Sequence, residues 1–477
     1  MKKLVAIILA AGEGTRMKSS LPKVLHPLCG KPLISWVYDS VKNLNPEKVY
    51  IVIGENHNSI RSLFSKNEKT VFVTQSKSLG SGDAVRECEK YLKNYTGDCL
   101  ILCGDVPLLS TDTLQRLVST HRKGHNTLTL LTTRVDNPYG YGRICRSLDN
   151  DILKIVEENE ANRWEKSINE INSGIYCCIP RTLFPVARKL SSDNKKGEYY
   201  LTDCVELLRT RGEKIGSFFL ENSEEVLGIN NRKELAEMEK IVRNKILDNL
   251  MLVGVTIVDP EHTYIDADVS ISQDTTILPG TIIKGATKIG SNCRIGPQTY
   301  IEDCAIGNSV EIRASFVYGT EVENETKIGP FAHIRPGSSL GQKVRIGNFT
   351  EVKKSRIGTG TKVSHLSYIG DSVLGKEINV GAGVITCNYD GVAKHRTVIG
   401  DKVFVGSNVN LIAPVRVGKK AVIGAGSTIT KNVPAQSLAI ARSREIIKRK
   451  YQLGKQLTVH KVAYAPKLQR RNEEKCK

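Results

Sequence analysis

Residues 271–301 read ISQDTTILPGTIIKGATKIGSNCRIGPQTYI, and isoleucine recurs in this stretch at every sixth position. The recurring positions are Ile271, Ile277, Ile283, Ile289, Ile295 and Ile301. This period is neither that of an α-helix nor the simple alternation of a strand. It is typical of short strands joined by tight turns and stacked so that one aliphatic side chain per strand points inward. The stretch therefore predicts a parallel β-helix.

The same period returns further along the chain, so the predicted solenoid is long. The later inward positions are Ile328, Ile334, Leu340, Ile346, Val352, Ile357, Val363, Ile369, Val403, Val409 and Val415. Glycine often follows the aliphatic residue, as in Ile289-Gly290, and glycine accepts the positive φ of tight turns. Such coils expose long flat sides that need neighbours to cover them.

Residues 1–230 have a different pattern, in which short apolar runs alternate with amphipathic segments. We expect strands at 4–9, 49–53, 71–74, 99–102, 127–132 and 174–179, and helices at 33–44 and 111–121. This alternation predicts a mostly parallel, three-layer α/β domain. Residues 231–250 contain no glycine or proline and carry apolar residues on one helical face, which predicts a rigid helical connector to a β-helix domain at 251–477.

The composition excludes several classes of protein. Of the 477 residues, 40% are hydrophobic and 25% are charged, so the chain can bury a core and is not disordered. The first apolar run, residues 4–11, is too short to cross a bilayer and is not followed by a signal-peptide cleavage site. The 12 cysteines include no Cys-x-x-Cys pair, so we expect reduced thiols and a cytoplasmic protein.

The net charge of +19 is concentrated at the C-terminus. Residues 431–477 contain thirteen Lys/Arg and three Asp/Glu, which is more than half of the excess. This tail lacks the interleaved aromatic residues of single-strand nucleic-acid binders, so we expect a solvated segment with no specific nucleic-acid partner. The mildly basic remainder suits an enzyme that handles phosphates.

A glycine loop follows the first predicted strand, in Leu9-Ala10-Ala11-Gly12-Glu13-Gly14. The backbone N–H groups of such a loop can hold a phosphate, although a glycine turn after a strand is often purely structural. It lacks the Gly-Lys-Ser/Thr of a Walker A loop and the third glycine of a dinucleotide fingerprint. Arg16 and Lys23 follow, and two cations beside the loop would neutralise a triphosphate.

Asp105 follows another predicted strand, in Cys103-Gly104-Asp105-Val106-Pro107. A carboxylate at the carboxyl end of a buried strand is well placed to ligate Mg²⁺. An isolated aspartate at such a position is about as often a simple turn residue.

Polar residues in the solenoid are concentrated in one interval. His365 lies in an otherwise regular coil, and the six-residue register breaks near Asn388. Interruptions of a solenoid tend to build its binding face, so this interval indicates more than assembly.

Together these segments resemble the sugar nucleotidyltransferases, in particular the family of bifunctional N-acetylglucosamine-1-phosphate uridylyltransferase/glucosamine-1-phosphate acetyltransferase enzymes. The resemblance covers nearly the whole chain. It implies a Rossmann-like nucleotidyltransferase domain, a left-handed β-helix and a homotrimer. It also implies acetylation of glucosamine-1-phosphate by acetyl-CoA, followed by Mg²⁺-dependent uridylyl transfer from UTP with release of pyrophosphate. The product, UDP-N-acetylglucosamine, is a precursor of peptidoglycan and lipopolysaccharide.

The resemblance also implies the residues of the nucleotide site. The nucleotide and its sugar would contact Leu9, Ala10, Ala11, Gly12, Lys23, Gln75, Gly80, Ser81, Cys103, Gly104, Asp105, Gly142, Glu157, Asn172 and Asn230. Asp105 and Asn230 would hold Mg²⁺. Arg16 and Lys23 would screen the repulsion between the attacking phosphate and the triphosphate.

In the solenoid, the resemblance implies that His365 is the general base, because an ammonium cannot attack a thioester before it loses a proton. Glu351 would orient that histidine. The sugar phosphate and sugar would contact Arg335, Lys353, Tyr368 and Asn379. The acetyl-CoA groove would be lined by Ala382, Asn388, Tyr389, Ser407, Ala425 and Arg442.

This sequence departs from the family pattern at a few positions. Cys103 stands where tyrosine is usual, Ser81 where threonine is usual, and Asp83 where histidine is common. Glu158-Asn159 replaces His-Lys, which adds negative charge beside a phosphate site.

Two other functions remain compatible with the fold. One is a nucleotidyltransferase that forms GDP-mannose or dTDP-glucose, with a solenoid that serves only assembly. The other is a regulatory trimer without catalysis. The polar blocks around His365 and Asn388 argue against the first, and the presence of Lys23, Asp105, Asn230 and His365 argues against the second.

Overall fold

The structure is a computed structural model that describes residues 3–55, 58–447 and 449. Most of the basic C-terminal tail lies outside the described residues. Within them, no helix is both long enough and apolar enough to span a membrane.

The N-terminal unit is built on a mixed sheet. Its strands are β1 (Leu4–Ala10), β4 (Val49–Gly54), β5 (Thr70–Gln75), β6 (Asp98–Cys103), β7 (Leu128–Arg134), β8 (Arg143–Arg146), β9 (Ile152–Val156), β10 (Glu170–Cys178) and β11 (Ile215–Phe219), while β2 (Pro27–Leu28) and β3 (Lys31–Pro32) form a separate hairpin. The strand order is β11-β7-β10-β6-β1-β4-β5, with β8 and β9 attached to β10. Neighbours along this order are parallel except at β10, which runs antiparallel to β6 and β7.

Helices cover both faces of this sheet and give it two hydrophobic cores. They are α1 (Leu33–Lys42), α2 (Asn58–Phe64), α3 (Ser81–Arg86), α4 (Glu89–Leu92), α5 (Thr111–Lys123), α6 (Pro180–Ala187) and α7 (Asp203–Arg209). The strands and helices predicted for this half are all observed, with small shifts at their ends. The three-layer α/β prediction is confirmed.

The connector is helix α8 (Arg232–Leu252), as its one-sided apolar pattern predicts. Asn231 caps its first turn, since the side-chain oxygen accepts hydrogen bonds from the backbone N–H groups of Lys233 and Glu234, each at 3.0 Å. Leu235, Met238 and Val242 are buried against the N-terminal unit. The first half of the helix is therefore packed against this unit and does not act as a loose tether.

The C-terminal unit is a parallel β-helix with three faces. The strands of the first face are Thr256–Ile257, Thr276–Ile277, Arg294–Ile295, Glu311–Ile312, Lys327–Ile328, Arg345–Asn348, Lys362–His365, Asn379–Val380, Phe404–Val405, Val422–Ile423 and Leu438–Ala439. Those of the second face are Tyr264–Ile265, Ile282–Lys284, Tyr300–Glu302, Phe316–Tyr318, His333–Ile334, Glu351–Lys353, Tyr368–Gly370, Ile385–Cys387, Asn410–Ile412 and Thr428–Ile429. Those of the third face are Ser270–Ile271, Lys288–Ile289, Ala305–Ile306, Thr320–Val322, Ser338–Leu340, Arg356–Ile357, Ser372–Leu374, Thr397–Ile399 and Val415–Val417.

The six-residue repeat places its aliphatic side chains in the core as predicted. Ile277 pairs with Ile295, which pairs with Ile312, and each of these side chains is fully buried. The register changes where the sequence indicated a break. Lys362 pairs with Asn379, 17 positions later, whereas Asn379 pairs on its other side with Phe404, 25 positions later, so this coil carries an inserted loop.

Candidate functional site

The first site lies at the carboxyl ends of β1 and β6, where a phosphate-binding loop is expected. Gly14 has φ of 63°, and a Cβ there would lie 2.6 Å from the Cβ of Lys23. Only glycine therefore lets the loop fold back against the short 3-10 helix Lys23–Leu25. A second 3-10 turn, Thr15–Met17, carries Arg16 to the same place.

Four predicted residues from three distant segments converge there. The side-chain oxygen of Asn230 accepts hydrogen bonds from Arg16 Nη2 at 2.8 Å and from Lys23 Nζ at 3.3 Å. Lys23 Nζ also forms an ion pair with Asp105 Oδ2. The backbone N–H of Ile229 donates to the carbonyl of Asp105, which holds the segments of Asp105 and Asn230 together.

This arrangement fits a magnesium ion. The oxygens of Asp105 and Asn230 both face one cation, the ammonium of Lys23. No group of three or more His, Cys, Asp or Glu side chains within the described residues is arranged to hold a metal. Magnesium commonly takes one or two protein ligands and completes its shell with substrate phosphates and water.

Gln75, one of the predicted nucleotide-binding residues, is held in place by two hydrogen bonds. Its amide donates to the carbonyl of Gly80 at 3.2 Å and to Asp83 Oδ2 at 2.9 Å, and Asp83 also binds Arg86. The negative charge of Asp83, a departure from the family pattern, is thus compensated by Arg86, and its carboxylate fixes the side chain of Gln75. Gly80 has φ of 105° and packs against the Tyr199 backbone, while Ser81 Oγ accepts the N–H of Leu201.

The residues predicted to bind the sugar, Gly142, Glu157 and Asn172, lie close together. A Cβ on Gly142 would lie 3.7 Å from both the Asn172 Cβ and Glu157 Oε1. Glu157 accepts a hydrogen bond from Thr202 Oγ1 at 2.9 Å, and burial raises its pKa. Asn172 donates to the hydroxyl of Tyr176 at 2.7 Å.

Glu158 is neutralised, although the sequence suggested added negative charge. Its carboxylate lies 2.6 Å from Nη2 of Arg143, a side chain with only 2% exposure, and accepts the N–H of Gly140 at 3.2 Å. Burial alone would raise the pKa of Glu158, but these two hydrogen bonds bring it below its ordinary value. Arg143 also donates to the carbonyl of Tyr141, so the pair fixes the loop that carries Gly142.

Cys103, another departure, fills the space beside the glycine of β10. Its thiol donates to the carbonyl of Gly174 at 3.7 Å. Burial raises the pKa of Cys103 to about 12, so the thiol stays neutral next to Asp105. Gly104 donates to the carbonyl of Leu9 at 2.9 Å, which joins the ends of β6 and β1 under the site.

The second site runs along the corner between the first and second faces of the β-helix. His365, Ala382, Ser407 and Ala425 occupy the same position in four successive coils, two residues after an inward aliphatic residue. The backbone N–H of Asn408 donates to the carbonyl of Ala382, and that of Gly426 donates to the carbonyl of Ser407. A Cβ on Gly426 would lie 3.7 Å from the Cδ of Arg442, which places Arg442 at the end of this row.

The imidazole of His365 contacts the side chain of Asn348. Nδ1 of His365 lies 2.8 Å from the side-chain oxygen of Asn348, which precedes it by one coil. Glu351 lies on the second face and accepts a hydrogen bond from Arg335 Nη1 at 2.9 Å. Sequence reasoning missed Asn348, which is directly paired with His365, and the orienting role expected for Glu351 on the neighbouring face stays a prediction.

A cluster of cations lies beside this corner. Lys353 Nζ approaches the amine of Lys394, which lowers the pKa of Lys353, and Arg335 contributes to the same effect. Three cations from three segments make this corner favourable for an anion. Sequence reasoning missed Lys394. The register break at 386–391 was the sequence signal that pointed to the loop carrying Lys394. This loop is closed by the contact between Asp390 Oδ2 and His395 Nε2, which lie 2.6 Å apart.

Asn388 is placed beside Tyr368. Its amide donates to Asp371 and lies 3.5 Å from the Tyr368 hydroxyl. Tyr389 is largely exposed and its hydroxyl donates to the carbonyl of Gly391. Asn379 faces outward on the first face, one coil after Lys362.

Comparison with known proteins gives matches over both units. A model described as the MobA-like NTP transferase domain matches residues 6–203. The bacterial transferase hexapeptide model matches residues 268–303 and 396–431, and the GMPPB C-terminal domain matches 318–413. "Bifunctional protein GlmU" of Geobacillus sp. (strain WCH70) is 48% identical over 94% of this chain and 98% of its own length. The protein of that name from Caldanaerobacter subterraneus subsp. tengcongensis is 49% identical over 93% of this chain and 96% of its own.

The chain belongs to the bifunctional GlmU family. The fold predicted from the hexapeptide repeat and the α/β half, with its left-handed β-helix, is confirmed. The chain is a bifunctional transferase, with uridylyltransferase and acetyltransferase activities in UDP-N-acetylglucosamine synthesis. The alternatives of a pure scaffold solenoid and of a non-catalytic trimer are thereby set aside.

Proposed function

We propose that the two activities of this GlmU family member are divided between its two units. Uridylyl transfer takes place within residues 1–230, and acetyl transfer takes place on the β-helix at 251–477. The observation that carries the first assignment is the convergence of Lys23, Asp105 and Asn230 from three distant segments. The row of His365, Ala382, Ser407 and Ala425 supports the second.

At the first site, the phosphate of N-acetylglucosamine-1-phosphate attacks the α-phosphorus of UTP. The new P–O bond forms as the bond to the pyrophosphate leaving group breaks. The nucleophile is already an anion, so no general base is needed. Arg16 and Lys23 hold the two anions together and screen their repulsion. A magnesium ion on Asp105 and Asn230 would supply further neutralisation of the phosphate charge.

The sugar is held on the opposite side of the same cleft. Glu157 and Asn172 present oxygen and amide groups to the sugar hydroxyls, and Gly142 leaves room for the ring. Thr202 and Tyr176 fix these two side chains by the hydrogen bonds described above. The nucleotide base contacts Gln75, Gly80 and Ser81, and Leu9 to Gly12 border its ribose and phosphates.

At the second site, His365 removes a proton from the ammonium of glucosamine-1-phosphate. The free amine attacks the thioester carbonyl, a C–N bond forms, and the C–S bond breaks as coenzyme A leaves and is protonated. Asn348 holds the imidazole through Nδ1, which leaves Nε2 to receive the proton. Arg335, Lys353 and Lys394 bind the sugar phosphate, while Tyr368 and Asn379 contact the sugar.

Acetyl-CoA lies along the corner described above. The small side chains of Ala382, Ser407 and Ala425 leave the corner open enough for the pantetheine arm. Asn388 and Tyr389 border it from the inserted loop, and Arg442 offers a cation to the phosphates. Glu351, bound to Arg335, fixes that arginine for the sugar phosphate.

A homotrimer is the proposed assembly. Phe316, Phe331, Phe349 and Phe404 are each at least half exposed, and the rings of Phe331 and Phe349 stack at 5.4 Å. A stacked pair of exposed aromatic rings favours a covering partner. The location we propose is the cytoplasm, which agrees with the free thiols of the described cysteines. Sedimentation at three times the 52.6 kDa chain mass is expected, and a single-chain mass would contradict the trimer.

Two separate assays test the division of activities. With glucosamine-1-phosphate and acetyl-CoA, free coenzyme A is expected without UTP or Mg²⁺. With N-acetylglucosamine-1-phosphate and UTP, pyrophosphate is expected only when Mg²⁺ is present. Pyrophosphate release that persists with excess chelator would contradict the proposed metal dependence.

A further inference from the structure

The hairpin that follows Lys23 contacts the first coil of the β-helix. Strands β2 and β3 are joined by Cys29 and Gly30, both with positive φ, 46° and 79°. The backbone N–H of Ala267 donates to the carbonyl of Cys29 at 2.9 Å. Gly30 packs on Asp266, since a Cβ at residue 30 would lie 2.3 Å from Asp266 Oδ2. We call these four residues the interdomain clamp.

Helix α8 supports the clamp from a second direction. The thiol of Cys29 donates to the carbonyl of Glu239 at 3.8 Å. On the next turn of α8, the guanidinium of Arg243 lies 4.4 Å from the ring of Tyr264 in the first coil. Asp266 itself is fixed, because its Oδ2 accepts the N–H of Gly285 at 3.2 Å. The first coil and α8 therefore form a fixed surface on which the hairpin packs.

The hairpin is connected to Lys23 by a short buried segment. Val24, Leu25 and His26 lie between Lys23 and β2, and each is nine-tenths or more buried. The N–H of His26 donates to the carbonyl of Lys23. A displacement of the Cys29-Gly30 turn would thus be transmitted to Lys23, since a packed segment of this length has little room to absorb it.

We infer that the interdomain clamp positions Lys23, so that the first coil of the β-helix is a supporting element of the uridylyl-transfer site. The inference rests on the proposed role of Lys23 in binding the UTP phosphates. Gly30 and Ala267 are positioning residues, since they lie outside the cleft and act through the backbone of the hairpin, and Asp266 is the side chain on which Gly30 packs. The acetyl-transfer site, many coils away, does not depend on the clamp.

Two variants disturb the clamp from opposite sides. Gly30→Ala places a methyl group against Asp266. Ala267→Pro removes the N–H that donates to the Cys29 carbonyl. Proline suits this position, because residues 266–269 form a turn closed by the hydrogen bond from the Val269 N–H to the Asp266 carbonyl, and Ala267 is the second residue of that turn. We expect kcat/KM for pyrophosphate release to fall at least tenfold in the first and at least fivefold in the second. Acetyl transfer should stay within twofold in both.

Three comparisons separate positioning from general damage. Asp266→Ala added to Gly30→Ala should recover most of the lost kcat/KM, because it removes the two closest carboxylate atoms. Gly212→Ala is the control for backbone strain, since its φ of 75° is similar but a Cβ there meets nothing within 4 Å. In a Lys23→Ala background, Gly30→Ala should lower the residual activity less than twofold, because the clamp acts through Lys23.

Wild-type uridylyl transfer in both clamp variants would overturn the inference. So would a loss that Asp266→Ala does not restore, or a full tenfold further loss in the Lys23→Ala background. Full activity of Lys23→Ala alone would instead contradict the proposed role of Lys23, so the two failures are distinguishable.

Discussion

The ion pair between Lys23 and Asp105 makes a counterintuitive prediction for Asp105→Asn. In the free protein, Asp105 is ion-paired with the Lys23 ammonium that would bind UTP, and its negative charge also repels the triphosphate. Both side chains are only 16% exposed, so the pair is weakly screened. Without Mg²⁺, the asparagine variant should therefore bind UTP more tightly than the wild type does.

The size of this effect follows from the contact that UTP must break. A hydrogen bond to a charged group contributes about 1.5–3 kcal/mol. If UTP no longer has to break this hydrogen bond, its affinity for the variant rises by about 10- to 150-fold. The same substitution removes a magnesium ligand, so Mg²⁺-dependent pyrophosphate release should fall at least about 1,000-fold while acetyl transfer is unchanged.

Calorimetric titration with UTP in the presence of EDTA measures the first effect, and a coupled pyrophosphate assay measures the second. Lys23→Ala is the matched comparison, because it should weaken UTP binding under both conditions. Weaker binding of UTP to Asp105→Asn in EDTA would refute the reasoning that Asp105 sequesters Lys23. Retention of the Mg²⁺-dependent rate within tenfold would refute its assignment as a metal ligand.

Three further substitutions test other parts of the structure. His365→Ala should lower acetyl transfer by about 100- to 10,000-fold and leave pyrophosphate release unchanged, whereas a normal acetyl-transfer rate would require another base. Glu158→Ala leaves the buried Arg143 guanidinium without a carboxylate partner and should lower the free energy of unfolding by about 2–3 kcal/mol, seen as a lower first transition in calorimetry; an unchanged transition would mean that the pair is not needed. Burial and the neighbouring Glu157 raise the pKa of Asp203 from 3.8 to about 6, so this group destabilises the fold increasingly as pH rises between those values. Asp203→Asn should therefore stabilise the protein at pH 8 by about 1 kcal/mol, after allowance for partial exposure, and by much less at pH 4; greater stabilisation at pH 4 would contradict this sign.

The sequence predicts the β-helix so well because its signal is local and repeated. Each inward isoleucine, such as Ile277, depends only on residues within its own hexapeptide. The glycine loop and Asp105 are predictable for a similar reason, since each follows its own buried strand. The residues of the first site can then be expected to meet, because the carboxyl ends of parallel strands share one edge of a sheet.

Side-chain partners between coils are much harder to predict. Asn348 and His365 lie 17 residues apart and become neighbours only through strand pairing. Glu351 is nearer to His365 in the sequence, yet it lies on another face. The compensation of Glu158 by Arg143 is likewise hidden, since it depends on how β8 pairs with β9. Counting charges along the sequence therefore overstated the negative charge that Glu158 adds beside the phosphate site.

The central claim is that one chain carries both reactions at separate sites. The most direct measurement is a single mixture of purified protein, glucosamine-1-phosphate, acetyl-CoA, UTP and Mg²⁺, in which free coenzyme A, pyrophosphate and UDP-N-acetylglucosamine are followed over time. We predict that coenzyme A appears first and that the other two products follow in equal amounts. Well-folded protein that releases coenzyme A but never forms UDP-N-acetylglucosamine would contradict the account.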